Sequence, residues 1–109
     1  MQELTLSRLE QIEKMLAAEP ADVFLNFSLA MEYVHAGRQE DAIAQFVRVA
    51  DLDSDYVAVY PQWANLLIGL GRKEEAQGVL SRGIASAERI GDKHAGEKMT
   101  ETMKVLGGN

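Results

Sequence analysis

The segment Gly37-Arg38-Gln39-Glu40-Asp41-Ala42 returns at positions 71–76 as Gly71-Arg72-Lys73-Glu74-Glu75-Ala76, inside sequence otherwise patterned for helices. Laying residues 23–52 over 57–86 gives seven identities: Val23/Val57, Ala30/Ala64, Gly37/Gly71, Arg38/Arg72, Glu40/Glu74, Ala42/Ala76 and Arg48/Arg82. Val34/Ile68, Asp41/Glu75 and Phe46/Leu80 extend the match conservatively. A fixed period of this size is the mark of a repeat scaffold, in which each unit buries its apolar face against its neighbour. Such stacks make surfaces for holding partners, whereas catalysis needs polar groups converging in a pocket. The repeat therefore constrains both the fold and the kind of work the chain does.

Six helices follow from the local pattern. Ser7-Arg8-Leu9-Glu10 has the form of a capping box, and Leu9, Ile12 and Leu16 recur at helical spacing, so a first helix is expected over 6–18, ended by Pro20. Residues 22–36 read as an unusually apolar helix closed by Gly37, and 39–52 as its return, with Ala42, Ile43, Phe46, Val49 and Ala50 inward and Glu40, Gln45, Arg48 and Asp51 towards water. The cycle then restarts. Asp55 is expected to cap a fourth helix running to about Leu70, with Gly71 closing it, and a fifth runs from Lys73 to Ile90. A sixth, from Lys93 to 106, carries Ala95, Met99, Met103 and Leu106 on one stripe, as a terminal cap would, and Gly107-Gly108-Asn109 is expected to fray.

Three residues disturb this pattern. Pro61 falls early in the fourth helix, where a missing amide donor predicts a kink or an irregular first turn. Gly78 and Gly83 lie inside the fifth helix, each at a cost of about 1 kcal/mol relative to alanine, which points to close backbone approach by a neighbouring helix.

With 11 basic and 17 acidic side chains, a formal charge of −6 opposes long-range attraction to nucleic acid or anionic lipid. Apolar, basic or mixed partners are expected instead. The absence of cysteine removes disulfides and thiolate metal sites and favours a reducing compartment. Glu3, Arg8, Glu10, Glu13, Lys14 and Glu19 interrupt any signal-peptide apolar core, and no later stretch resembles a membrane span. A soluble, cytoplasmic protein is the expectation.

The residues resemble the tetratricopeptide repeat family. Leu29-Ala30 stands where the family has Leu-Gly, Tyr33 matches the aromatic position that follows, and Ala42 with Phe46 matches the second-helix Ala-x3-Phe signature. Asn26 and Ser54 depart from the usual Trp and Pro. In the second copy Tyr60, Trp63-Ala64, Ala76 and Leu80 fall at the right spacing, while Leu67 and Glu88 depart from Tyr and Pro. One period upstream, Ile12 and Pro20 occupy the places of Phe46 and the terminal proline, so the first helix looks like the second half of a truncated repeat. The whole is similar to small bacterial proteins with two repeats and a terminal helix. This implies an all-α fold, a short right-handed α-α superhelix of stacked antiparallel helix pairs. It would be a single domain over 1–109, with a half-repeat at 6–18, repeats at 22–54 and 55–90, and a capping helix at 92–106.

In that family the first helix of each repeat lines a concave groove. The resemblance places Phe24, Phe27, Met31, Val34 and His35, then Ala58, Pro61, Asn65 and Ile68, in the matching positions. The residues from Asp22 to Ala36 carry more apolar side chains than one buried stripe requires, and a helix apolar all round must be covered all round. If Leu29, Ala30 and Tyr33 pack on the return helix, Phe24, Phe27, Met31 and Val34 remain as a second stripe. Three covers are open: the first helix through Leu9, Ile12, Met15 and Leu16; a protein or peptide segment; or a second copy in a homodimer. The clamp with which chaperone-binding relatives hold a terminal carboxylate is not matched, since Phe27 and Met31 occupy part of it and only Asn65 is compatible.

No residues assemble into catalytic, cofactor or metal chemistry. Asp51, Asp53 and Asp55 alternate like a calcium loop, but Tyr56 replaces its glycine and Gln62 its closing glutamate. His35 and His94 have no ligand spacing. Glu40-Asp41 and Glu74-Glu75 complement helix N-termini, Arg38 and Arg72 are turn residues, and Met99 and Met103 suit the inner face of the cap. The sequence thus predicts a non-catalytic interaction module for a protein or peptide partner, with self-association through the same stripe as the alternative.

Overall fold

A computed structural model describes residues 7–107. Over these residues the protein is all-helical: α1 (Arg8–Ala18), α2 (Val23–His35), α3 (Gln39–Leu52), α4 (Val59–Gly69), α5 (Lys73–Ile90) and α6 (Lys93–Val105). Leu6, the one expected α1 residue before Ser7, and the expected fraying of Gly108 and Asn109 lie outside the described residues. The helices form two compact units, the first ending at Leu52 and the second beginning at Asp53.

In the first unit, α1 starts in a full capping box. The Glu10 amide donates to Ser7 Oγ at 3.1 Å and the Ser7 amide donates to Glu10 Oε1 at 2.9 Å, which also holds the Glu10 carboxyl below its usual range. Asp22 caps α2 by accepting from the Leu25 amide at 2.8 Å. Helix α2 packs on both α1 and α3. Ala30, Ala42 and Phe46 are fully buried, and the ring centroids of Phe27 and Phe46 are 6.4 Å apart.

Asn26, only 2 % exposed, explains why polar groups hold this unit together. Its Nδ2 donates to the carbonyls of Pro20 (3.0 Å) and Asp22 (2.8 Å). Its Oδ1 accepts from Gln45 Nε2 (2.5 Å) and Arg48 Nε (3.2 Å), and Arg48 Nη2 also donates to the Pro20 carbonyl (2.9 Å). Gln45 and Arg48, expected to face water, therefore reach back across α2. Every hydrogen-bonding capacity of the buried amide is met, as burial of a polar group demands.

The second unit places Tyr60 one repeat period after Asn26. Buried to 1 % exposure, Tyr60 donates its hydroxyl to the Ser54 carbonyl at 2.5 Å, and Ser54 stands one period after Pro20. Arg82, the repeat partner of Arg48, stacks over the rings of Tyr60 and Trp63 at 5.7 and 5.3 Å. The same anchoring job is thus done by an amide in one copy and by a phenol in the other.

Helix α4 begins later than the sequence predicts. Asp55 does not cap it; Ala58 precedes the first turn with no side-chain cap, and the amides of Val59 and Tyr60 donate to the carbonyls of Tyr56 and Val57 in tight turns. That is the irregular start expected from Pro61, which now falls in the first turn of the helix, where its missing donor leaves no bond unmade. Asp55 instead accepts from Arg89 Nη2 (2.8 Å), Arg89 Nε (3.0 Å) and Ser86 Oγ (3.2 Å), tying the connection to α5.

Both repeat glycines end their helices in the left-handed region, Gly37 at φ 76° and Gly71 at φ 75°. The Arg38 amide donates to Tyr33 and the Gly37 amide to Val34; Arg72 and Gly71 repeat this pattern onto Leu67 and Ile68. The following arginines then pair forward, Arg38 with Asp41 at 2.8 Å and Arg72 with Glu75 at 2.6 Å. Within α5, Gly83 is pressed between α4 and α6, whereas Gly78 is exposed with nothing within 4 Å of a Cβ built on it, so the close approach expected at both glycines holds only for Gly83.

Candidate interaction surface

The α1–α2 hairpin decides how much of the apolar stripe on α2 stays open. Arg8, at the start of α1, donates Nε to Glu32 Oε2 at 3.0 Å near the end of α2, so the two helices run antiparallel. His35 Nδ1 lies 3.7 Å from the same oxygen. Ile12 is buried, Leu9 and Leu16 are half-buried, and Met15 remains 49 % exposed. The hairpin is therefore covered along part of its length only.

On α2 itself, Phe27, Met31 and Val34 are half-buried and His35 is exposed. Phe27 leans its ring towards Phe46 of α3, a role the sequence did not assign to it. Phe24 is different: at 65 % exposure it is the most exposed aromatic ring of the described residues. Lying one turn before Phe27 on the same side of the helix, it extends the stripe outward into solvent. A phenylalanine in this state leaves a large apolar area in water, at about 25 cal/mol per Å².

In the second unit, Ala58, Pro61, Asn65 and Ile68 repeat the spacing of Phe24, Phe27, Met31 and Val34 at the repeat offset. Ala58 and Asn65 are exposed; Pro61 and Ile68 are half-buried. The amide of Asn65 stands in water, unlike the enclosed amide of Asn26. Two exposed faces of different character result, one aromatic on α2 and one small and polar on α4.

The described residues contain no group of three or more His, Asp or Glu side chains placed to hold a metal ion. Asp55, from the acidic alternation, is engaged by Arg89, whose hydrogen bonds hold its carboxyl below the usual range, with Ser86 adding to the effect. Among the same residues, no helix is long and apolar enough to cross a membrane. What the geometry offers is surface: an exposed ring beside half-covered aliphatic side chains. The only sequence signal of the network around Asn26 is positional: Asn26/Tyr60, Pro20/Ser54 and Arg48/Arg82 all stand at the repeat offset.

Comparison with known proteins gives a consistent picture. Residues 2–59 match the family model described as tetratricopeptide repeat. A TPR repeat-containing protein of Pseudomonas aeruginosa is 31 % identical over 98 residues, covering 90 % of this chain and 93 % of that protein. A tetratricopeptide repeat domain protein from Salinibacter ruber superposes with a TM-score of 0.76 at 25 % identity, over 80 % of this chain and 88 % of that one. A protein of Bordetella parapertussis, 22 % identical, shares the fold with a TM-score of 0.81 over 94 % and 90 % of the two chains.

Proposed function

Because the chain belongs to the tetratricopeptide repeat family, whose fold generally mediates protein–protein interaction, we propose that it is a non-catalytic adaptor that binds a protein or peptide segment on the exposed face of α2. One observation carries the reading: Phe24 stands 65 % exposed at the open end of a stripe that continues through Phe27, Met31 and Val34. Aromatic side chains dominate the energetics of protein interfaces, and an anchor already out in solvent needs no rearrangement to be reached. His35 and Glu32 supply polar groups at the far end of the stripe, as the rim of an interface does. At the start of α4 and along it, Ala58, Asn65 and Ile68 are the corresponding contact positions of the second unit. The acidic, cysteine-free composition suits a reducing, cytoplasmic setting.

Self-association through Phe24 is the competing reading, since a second copy would cover the same ring. Sedimentation equilibrium over a concentration series separates the two. A mass that stays at 12.0 kDa leaves the α2 face free for a partner. A dimer that Phe24→Glu dissociates assigns the face to self-association instead.

A further inference from the structure

In the second unit, side chains of α5 and α6 line an open groove of about 750 Å³. Its floor is made of Ile84 and Ala87 from α5 with Gly96 and Thr100 from α6. Small residues line the seam: a Cβ on Gly96 would rest 3.5 Å from the Ala87 Cβ, in ordinary contact, so the helices meet closely beneath the groove. The Thr100 hydroxyl donates to the Gly96 carbonyl at 2.8 Å, which removes the one hydroxyl on the floor as a polar demand on an occupant.

The rim is acidic. Glu88, Asp92, Glu97 and Glu101 border the groove against only Lys93 and Lys104. Asp92 already caps α6 through the Ala95 amide, but the carboxylates of Glu88, Glu97 and Glu101 have no hydrogen-bond or ion-pair partner among the described residues. Three solvated carboxylates with Asp92 thus outnumber the two lysines on the rim of an apolar trough and leave it net negative.

We propose that this α5–α6 groove is a second docking surface, distinct from the α2 face, and that it takes a basic amphipathic helix from a partner protein. A trough between two packed helices suits a third helix laid into it, ridge into groove. From Gly96 to Lys104 the wall is roughly 12 Å long, enough for about two turns of an occupant. Small or aliphatic residues at i, i+3 and i+4 meet Ile84, Ala87 and Gly96, while flanking Lys or Arg side chains meet Glu88, Glu97 and Glu101. A second copy is a poor occupant, because a chain of net charge −6 brings like charge to an acidic rim.

The test uses the ¹⁵N-labelled 109-residue chain and a designed helical peptide of about 16 residues, roughly four turns, with a Leu/Ala seam flanked by lysines, beside a twin carrying glutamates instead. The basic peptide is expected to shift the amide resonances of Ile84, Ala87, Gly96 and Thr100. The double variant Glu97→Lys/Glu101→Lys, altered only at exposed positions, should weaken binding at least about tenfold, and Glu13→Lys on α1 should not. Circular dichroism melts establish that each variant is folded. Absence of shifts at these four residues, shifts centred elsewhere, equal binding of the acidic twin, or an unchanged affinity in the double variant would each overturn the proposal.

Discussion

A Cβ placed on Gly83 would lie 2.6 Å from the Cβ of Tyr60, closer than two carbon atoms can approach. Tyr60 cannot yield, because its Cβ is fixed to the α4 backbone and its hydroxyl is held by the Ser54 carbonyl. On the other side, Met99 Sδ would be 2.5 Å from the same added atom. One missing side chain on α5 thus lets α4 and α6 both approach it.

Two glycines in one helix therefore respond in opposite ways to the same substitution. Gly78→Ala, into open space, should stabilise the protein by about 0.5–1 kcal/mol through helix propensity. Gly83→Ala gains the same propensity but overpacks the seam at a cost of about 1–3 kcal/mol, and a net loss is expected. Urea denaturation of the two variants beside wild type measures both signs.

Replacing Asn26 by leucine removes the amide on which Pro20, Asp22, Gln45 and Arg48 converge, and strands buried polar groups around a side chain that cannot bond them. A loss of about 2 kcal/mol is expected. Asn65→Leu, at the exposed amide, should stay within about 0.5 kcal/mol of wild type. Equal effects at the two positions in denaturant titrations would show that the Asn26 network contributes little.

Acid should loosen the tie between Asp55 and α5. Hydrogen bonds from Arg89, then Ser86, hold the Asp55 carboxyl below its usual range in the folded protein. A depressed folded value means that the ionised form stabilises the fold above the unfolded value of about 3.9, and that this stabilisation is lost as pH falls through the lower, folded value. Asp55→Asn should accordingly be less stable than wild type at neutral pH, with the difference shrinking below about pH 4. Thermal melts from pH 7 to 2 record the convergence; a constant difference would contradict the linkage.

Much of this architecture is legible in the sequence because the repeat identities have separate physical causes. Ala30/Ala64 and Ala42/Ala76 are all fully buried, and a small side chain at such positions lets packed helices approach. Gly37/Gly71 supply the left-handed closing residue, and Arg38/Arg72 pair with the acid three positions on. Arg48/Arg82 serve the anchors Asn26 and Tyr60. Helices α3 and α5 consequently fall at the expected residues.

What the sequence misplaces depends on tertiary partners. Asp55 looks like a cap by local rules, but Arg89, a full repeat period further along the chain, claims its carboxylate, while the tight turns ahead of Val59 delay the helix. Periodicity assigns Phe27 to an outer stripe without showing that its ring leans towards Phe46. The α5–α6 groove depends on how closely Gly96 and Ala87 meet, a distance that no spacing of residues encodes.

The central claim is that the α2 face receives a protein segment with Phe24 as its anchor. The most direct measurement is amide chemical-shift mapping of the full chain with peptides selected on it from a displayed random library, repeated with Phe24→Glu. The account predicts shifts centred on Phe24, Met31 and Val34, and an affinity loss of at least about thirtyfold in the variant, the scale of an interface hot spot near 2 kcal/mol. Selected peptides that leave these resonances unmoved, or bind Phe24→Glu as tightly as wild type, would contradict it.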